Sequence, residues 1–130
     1  DADPSNIDTA SEECDTPLLL ACENDRISAA KKLLARGASA SIPSKMQHCL
    51  TPLHRSCMNV NHVLVEALLA NHARVDSRDE YGNTALHFAC AQGSLECVVL
   101  LLDAKSDPNA TNNKGLPPLF PGISHLPVVC

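Results

Sequence analysis

Asn83-Thr84-Ala85-Leu86-His87-Phe88-Ala89-Cys90-Ala91-Gln92-Gly93 is the stretch of sequence that decides the fold. It predicts a turn and then a short helix that begins after Thr84, because Thr is a favoured N-cap residue. Gly93 predicts the end of that helix. The apolar residues that follow, which end in Leu100-Leu101-Leu102, predict a second helix.

The same pattern occurs twice upstream. Thr16-Pro17-Leu18-Leu19-Leu20-Ala21-Cys22 precedes Leu33-Leu34, and Thr51-Pro52-Leu53-His54-Arg55-Ser56-Cys57 precedes Leu68-Leu69. Successive threonines lie 35 and 33 positions apart (16 to 51, 51 to 84), and each leucine pair begins 17 residues after its threonine. A fixed period of this length indicates an array of repeated helix pairs.

The apolar stripes of the second helices are predicted to face inward. In the third unit this stripe comprises Leu95, Cys97, Val98, Leu101 and Leu102. In the second unit it comprises Val63, Leu64, Leu68 and Leu69, and in the first Ile27, Ala30, Leu33 and Leu34.

Composition narrows the class of protein. The formal net charge is −5, and the chain contains only one Tyr, two Phe and no Trp. A nucleic-acid surface needs clustered Lys and Arg, and single strands need aromatic stacking platforms, so this composition argues against nucleic-acid binding. No apolar run approaches the roughly 18 residues of a membrane span.

The placement of the seven cysteines is more informative than their number. Cys22, Cys57 and Cys90 each lie six residues after the threonine that begins their unit. This register predicts small buried apolar positions, which free Cys fills well, rather than a disulfide framework. We therefore expect a reducing compartment, cytosol or nucleus. Cys14 and Cys49 instead lie two residues before a predicted helix, where we expect exposed loop-tip thiols.

The domain organisation follows from the repeats. Residues 15–115 are predicted to form three units, and residues 1–14 an irregular segment similar to the end of a preceding repeat. The turn pattern restarts at Lys114-Gly115-Leu116, but Pro121 and Pro127 then fall where a helix would continue. Residues 116–130 are therefore expected to be a degenerate fourth repeat or a non-helical tail.

Thr-Pro-Leu-His at 51–54 and Thr-Ala-Leu-His at 84–87, with their 33-residue spacing, resemble the ankyrin repeat. Gly37-Ala38 and Asp79-Glu80-Tyr81-Gly82-Asn83 fit further positions of that signature. The sequence departs from it at Leu19, where the family usually has His, and at Arg55 and Ser56, where small or apolar residues are usual.

The resemblance implies an all-α solenoid of stacked antiparallel helix pairs, with β-hairpin-like loops projecting from one edge. It also implies protein binding through the loop tips and the concave face of the first helices. The tip residues are then Arg78, Glu80, Tyr81, Asn83, Asn113 and Lys114. The residues of the first-helix face are Glu23, Asn24, Met58, Asn59, Ala91 and Gln92.

Two constellations suggest other chemistry. His48, Cys49, His54, Cys57 and His62 contain ligand types that zinc prefers. However, the resemblance makes His54 a structural imidazole that bonds backbone between units, and Cys57 is expected to face the helix interface. His87 and Cys90 share one helix, but a buried thiol has a raised pKa and is a poor nucleophile.

These considerations leave two functional hypotheses. The first is a non-enzymatic protein-interaction module, part of a scaffold, adaptor or regulator, without cofactor, metal or membrane contact. We expect it to be a monomer whose uncapped ends are able to self-associate. The second is a Cys-rich protein that responds to redox conditions or zinc, which requires metal-dependent folding or an acidic thiol.

Overall fold

A computed structural model describes residues 16–44 and 48–118. These residues form six helices and no strand. The helices are α1 (Pro17–Glu23), α2 (Ile27–Ala35), α3 (Pro52–Met58), α4 (His62–Ala70), α5 (Ala85–Gln92) and α6 (Leu95–Asp103). The first helices α1, α3 and α5 contact one another in that order, and α2, α4 and α6 form a parallel layer behind them. The described residues therefore form the predicted all-α solenoid of three helix pairs.

In the first two units, a threonine side chain accepts a hydrogen bond from an unpaired backbone N–H group at the start of the first helix. Thr16 Oγ1 accepts from Leu19 N at 3.3 Å, and Thr51 Oγ1 accepts from His54 N at 3.3 Å. Pro17 and Pro52 occupy the first turn of their helices. Proline fits there because its missing N–H would have no intrahelical partner.

Left-handed backbone recurs at equivalent positions in the three units. Asp25, Val60 and Gly93 have φ between 57° and 70° at the turn that joins the two helices of each pair. Cys49, Gly82 and Gly115 have φ between 62° and 79° at the loop tips. Val60 is a β-branched residue in a conformation that glycine adopts most easily, so the repeat geometry prevails over residue preference at this turn.

The core lies between the two helical layers and consists of Leu, Ala, Val and Cys. Cys22, Cys57 and Cys90 have no exposed surface, which confirms the buried register predicted for them. Leu18, Leu53 and Leu86, two residues after each threonine, are at most 1% exposed. The small side chains of the cysteine positions allow neighbouring helices to approach closely, and the leucines fill the space between them.

Two sequence predictions about inward-facing residues were wrong or incomplete. Leu95 is 62% exposed, although it was assigned to the inward stripe of α6. It is the first residue of its helix, whereas Cys97, Val98 and Leu101 of the same helix are completely buried. In α4, Val65 is completely buried and was missed, whereas Val63 is only half-buried.

Ser56 is buried although it departs from the usual apolar pattern. Its hydroxyl donates to the Pro52 carbonyl one helical turn earlier at 2.9 Å. A buried hydroxyl is tolerated when it is hydrogen-bonded, so this departure leaves the helix intact.

A histidine in each of the last two units links that unit to the next loop. Thr51 N donates to His54 Nδ1 at 3.0 Å, so Nδ1 carries the lone pair and Nε2 carries the hydrogen. Nε2 donates to the Asn83 carbonyl at 3.0 Å. His87 repeats the arrangement, accepting from Thr84 N at 3.0 Å and donating to the Leu116 carbonyl at 2.9 Å. The structural role expected for His54 is confirmed.

Burial lowers the pKa of both His54 and His87, although the neighbouring carbonyls partly oppose that shift. Asp79 also favours the protonated form of each ring, while His87 disfavours it at His54 and Arg78 disfavours it at His87. A proton on Nδ1 would remove the acceptor that Thr51 N or Thr84 N uses. The folded chain therefore requires both imidazoles in the neutral form.

The boundary predictions for the chain ends fall mostly outside the described residues. Residues 1–14 lie outside them, as do residues 119–130 of the segment expected to be a degenerate repeat. Leu116, Pro117 and Pro118 are described and carry no helix. The expectation of a capping tail therefore remains a prediction.

Leu86→Ala is expected to lower the free energy of unfolding by roughly 2–5 kcal/mol, because the side chain is completely buried and its loss leaves a cavity. Leu95→Ala is the matched control. Its side chain is exposed and Ala favours helix, so the change should stay within about 0.5 kcal/mol. Chemical denaturation monitored by circular dichroism measures both values. Equal losses for the two variants would contradict the assignment of inner and outer faces.

The free energy of unfolding is expected to fall as the pH is lowered below about 6.5, the ordinary pKa of histidine in an unfolded chain. His54 and His87 have lowered pKa values in the folded chain, so the unfolded chain binds protons first. Their stabilising contribution is therefore complete above that pH and is lost on acidification.

Denaturant titrations between pH 8 and 5 measure this dependence. His72→Asn is the control, because His72 is exposed and its positive φ suits Asn. In the control, the free energy of unfolding should depend on pH as it does in the intact chain. Constant stability from pH 7.5 to 5.5 would show that the two imidazoles are not held neutral.

Candidate functional site

The loop tip before α5 is built by one buried carboxylate. Asp79 Oδ1 accepts from Tyr81 N at 2.9 Å and from Asn83 N at 2.8 Å. These bonds close the tip and place Glu80 and Tyr81 in solvent, where both are exposed. Asn83 is only half-buried, and its carbonyl is the acceptor for His54.

The next loop tip has the same construction with an amide in place of the carboxylate. Asn112 Oδ1 accepts from Lys114 N at 2.9 Å and from Leu116 N at 3.1 Å. Asn113 and Lys114 are exposed at this tip, as the sequence analysis expected.

The two tips are joined to each other by polar side chains. Arg78 Nη1 donates to the Thr111 carbonyl at 2.5 Å, and Asn112 Nδ2 donates to Asn83 Oδ1 at 2.9 Å. Asn113 Nδ2 donates to the Glu80 carbonyl at 3.1 Å. Arg78, Asn83 and Asn113 therefore hold the loops together, which leaves Tyr81 and Lys114 to present their side chains outward.

Tyr81 is part of an exposed cluster that crosses from one tip to the previous one. His48 Nδ1 lies 2.8 Å from Glu80 Oε2 and 3.3 Å from the Tyr81 hydroxyl. The His48 and Tyr81 rings are 5.2 Å apart between centroids. Tyr81 is nevertheless 52% exposed, so the cluster orients an aromatic ring without covering it. His48, a candidate metal ligand from the sequence alone, has in the structure the role of orienting Tyr81.

The first-helix face brings together the residues expected there. The side chains seven residues after each threonine are Glu23, Met58 and Ala91, and those eight residues after it are Asn24, Asn59 and Gln92. All six are exposed or half-buried. Because they hold equivalent places at the C-terminal ends of α1, α3 and α5, which contact in order, they form a continuous strip.

Two members of this strip also join neighbouring units. Asn59 Nδ2 donates to the Cys22 carbonyl at 3.1 Å and to the Glu23 carbonyl at 3.3 Å, which satisfies the end of α1. Glu23 Oε1 accepts from Arg55 Nη2 at 3.1 Å. The unusual Arg55 of the second unit is thus the ion-pair partner of the first unit.

Sequence reasoning missed a third row on the same face. Leu20, Arg55 and Phe88 each lie four residues after their threonine, and side chains three or four residues apart share one side of a helix. Leu20 is 44% exposed, and Phe88 is half-buried with its ring edge-on to His54 at 5.6 Å. The sequence signal for this row was that residues 20, 55 and 88 hold the same position in their units. With Met58 and Ala91, this row makes the strip partly apolar.

The residues considered as zinc ligands point to different places. His48 and Cys49 are exposed at a loop tip, whereas His54 and Cys57 are buried, and both ring nitrogens of His54 are already bonded. In the described ranges, no three His, Cys, Asp or Glu side chains are grouped so as to hold a metal ion. Cys49 is a free thiol in an exposed position, as expected, and Cys14 lies outside the described residues.

Each buried thiol lacks at least one requirement of a nucleophile, which are an accessible sulfur and a lowered pKa. Burial raises the pKa of Cys22 to about 11. A hydrogen bond to Cys97 and burial raise the pKa of Cys57 well above its ordinary value. The same hydrogen bond lowers the pKa of Cys97, but Cys97 is completely buried, so no substrate reaches its sulfur. Cys90 is also completely buried, and His87 beside it has both nitrogens bonded to backbone groups.

None of the helices in the described part of the chain has the length and apolar character required to cross a membrane.

Comparison with known proteins agrees with this architecture. The family model described as ankyrin repeats (three copies) matches residues 18–112. The chain is 34% identical over 107 residues to a putative ankyrin repeat protein of fowlpox virus, covering 82% of this chain and 31% of that protein. It is 30% identical over 140 residues to neurogenic locus notch homolog protein 1 of Xenopus tropicalis, covering 82% of this chain and 6% of that protein.

A further relative is human transient receptor potential cation channel subfamily A member 1. It is 31% identical over 105 residues, which cover 80% of this chain and 9% of that protein. The chain thus spans less than a third of the length of each of these relatives. The matched repeats, the period of the threonines and the two histidine bridges agree, and the chain belongs to the ankyrin-repeat family.

Proposed function

We propose that this chain is a protein-binding module that engages a partner through its loop tips and its first-helix face. Ankyrin repeats are generally protein–protein interaction modules, and the family is typically non-enzymatic. The observation that supports this surface in particular is the exposed Tyr81 ring, oriented by His48 and Glu80 beside a partly apolar helical strip.

The chemistry of the surface suits a polypeptide ligand. Tyr81, Met58 and Leu20 offer apolar area, and rigid aromatic side chains are frequent anchors of interfaces. Gln92 and Asn24 offer amide donors and acceptors for the backbone of a partner. Because inter-unit bonds already hold the strip and the tips, binding requires little further ordering, which favours affinity.

We infer that the module is part of a scaffold or adaptor protein, and that the partner it binds determines the pathway in which it acts. The buried thiols Cys22, Cys57 and Cys97 fit a reducing compartment, so we propose that this activity belongs to the cytosol or nucleus.

The double variant Tyr81→Ala/Gln92→Ala tests the surface. Both side chains are exposed, so the melting temperature should stay close to that of the intact chain. Capture of proteins that the intact chain retains, measured by quantitative mass spectrometry, should fall about tenfold. Truncating interface anchors typically costs about 1–2 kcal/mol or more, and about 1.4 kcal/mol corresponds to a factor of ten.

Glu66→Ala/Glu96→Ala is the matched control, since both glutamates are exposed on the second-helix layer. This control should melt normally and capture fully. If the Tyr81/Gln92 variant captures at full strength while the control loses capture, the binding face is the opposite layer, where Arg26 and Lys31 are also exposed.

A further inference from the structure

A polar cleft lies between the loops that follow the first and second helix pairs. Its volume is about 470 Å³. The residues that give it chemical character are Ser41, Ile42 and Pro43 from the first loop and Arg74, Ser77 and Arg78 from the second. Apart from Arg78, none of these residues belongs to the tips or to the first-helix face.

Two arginines line the cleft in a chain whose net charge is −5. Arg74 is exposed, and within the described ranges its guanidinium makes no hydrogen bond or ion pair. Arg78 is held in place by bonds from Nη1 to the carbonyls of Gly82 and Thr111, at 3.3 Å and 2.5 Å. Neither of these acceptors is a carboxylate, so among the described residues neither guanidinium is paired with an acid.

Hydroxyl groups complete the donor set. Ser41 Oγ accepts from Arg74 N at 3.0 Å, a bond that joins the two loops and leaves the hydroxyl hydrogen to donate elsewhere. Ser77 is half-buried and also lines the cleft. The intervening acid, Asp76, does not line this cleft, and its Oδ1 accepts from Asp107 N of the following loop at 3.4 Å. The described residues of the wall are therefore rich in donors and include no carboxylate.

We propose that this cleft binds the phosphate monoester of a phosphorylated serine or threonine in a partner protein. Such a group carries about −1.5 to −2 charges and three strong acceptor oxygens. Planar guanidinium groups match those oxygens with two parallel hydrogen bonds, and hydroxyls supply the remaining donors.

Besides hydrogen-bond donors for a phosphate group, the cleft contains apolar surface. Ile42 and Pro43 add apolar surface for the carbon atoms of a peptide. This surface favours a phosphopeptide over inorganic phosphate or a small polyphosphate, which present the same oxygens without a peptide chain. The inference rests on the proposed function only in assigning the phosphate to a partner protein.

The test is a titration of the ¹⁵N-labelled chain, followed by amide chemical shifts. The probes are the peptide Ala-Ala-phosphoserine-Ala-Ala, the same peptide with serine, and inorganic phosphate. The phosphopeptide should shift the amides of Ser41, Arg74 and Ser77 saturably, and the serine peptide should not. Inorganic phosphate should shift the same amides with an affinity at least about tenfold weaker, because it lacks the contacts with Ile42 and Pro43.

Arg74→Gln removes the unpaired guanidinium and should weaken phosphopeptide binding about tenfold or more, as expected for a lost bond between charged groups. The phosphopeptide affinity of Arg74→Lys should lie between those of the intact chain and Arg74→Gln, because lysine keeps the charge and loses the paired donors. Arg26→Gln is the control, since Arg26 is exposed at the turn before α2, outside the cleft, and should bind normally.

Equal phosphopeptide affinity for Arg74→Gln and the intact chain would overturn the proposal, as would shifts confined to other residues. Inorganic phosphate binding as tightly as the phosphopeptide would overturn the assignment to a partner protein. Neither result affects the capture assay with Tyr81 and Gln92, so failure of this inference is distinguishable from failure of the proposed function.

Discussion

The neutral imidazole that joins a unit to the following loop, present at His54 and His87, is the interaction on which the rest of the structure depends. His54 accepts from its own unit through Nδ1 and donates to the next loop, at the Asn83 carbonyl, through Nε2. It therefore satisfies a buried backbone donor at a helix start and a partly buried backbone acceptor in a loop, where an unpaired group would be costly. In a solenoid each unit contacts only its neighbours, so stability depends on such inter-unit contacts.

The same bond positions the proposed binding surface. The Asn83 carbonyl lies at the base of the tip that carries Tyr81, and Asp79 closes that tip from within. Asn59 and Arg55 provide comparable links along the first helices. The surface is consequently rigid before a partner arrives. Several polar side chains that join the units, among them Glu23, Arg78 and Asn113, are also ones to which the resemblance assigns partner contact.

The sequence predicted the fold well and the surface only in part. The 33-residue period, the threonine caps and the register of Cys22, Cys57 and Cys90 each reflect local geometry that recurs in every unit. These features therefore predicted the helix starts and the buried positions correctly. Leu95 was misplaced because hydrophobicity alone does not show which side of a helix end faces the core, and its position on α6 leaves it in solvent. The Glu23–Arg55 pair and the contact between His48 and Glu80 join residues 32 positions apart. Such pairs depend on how units stack, which a single repeat does not reveal.

The tautomer of His54 and His87 is the most direct test of this account. Long-range ¹H–¹⁵N correlation spectra of the histidine side chains at pH 7.5 distinguish a hydrogen on Nε2 from one on Nδ1. The account predicts that both rings carry it on Nε2 and remain neutral as the pH is lowered through about 6.5, where an exposed histidine titrates. A hydrogen on Nδ1, or ordinary titration of both rings near that pH while the chain stays folded, would contradict the central role given to the two bridges.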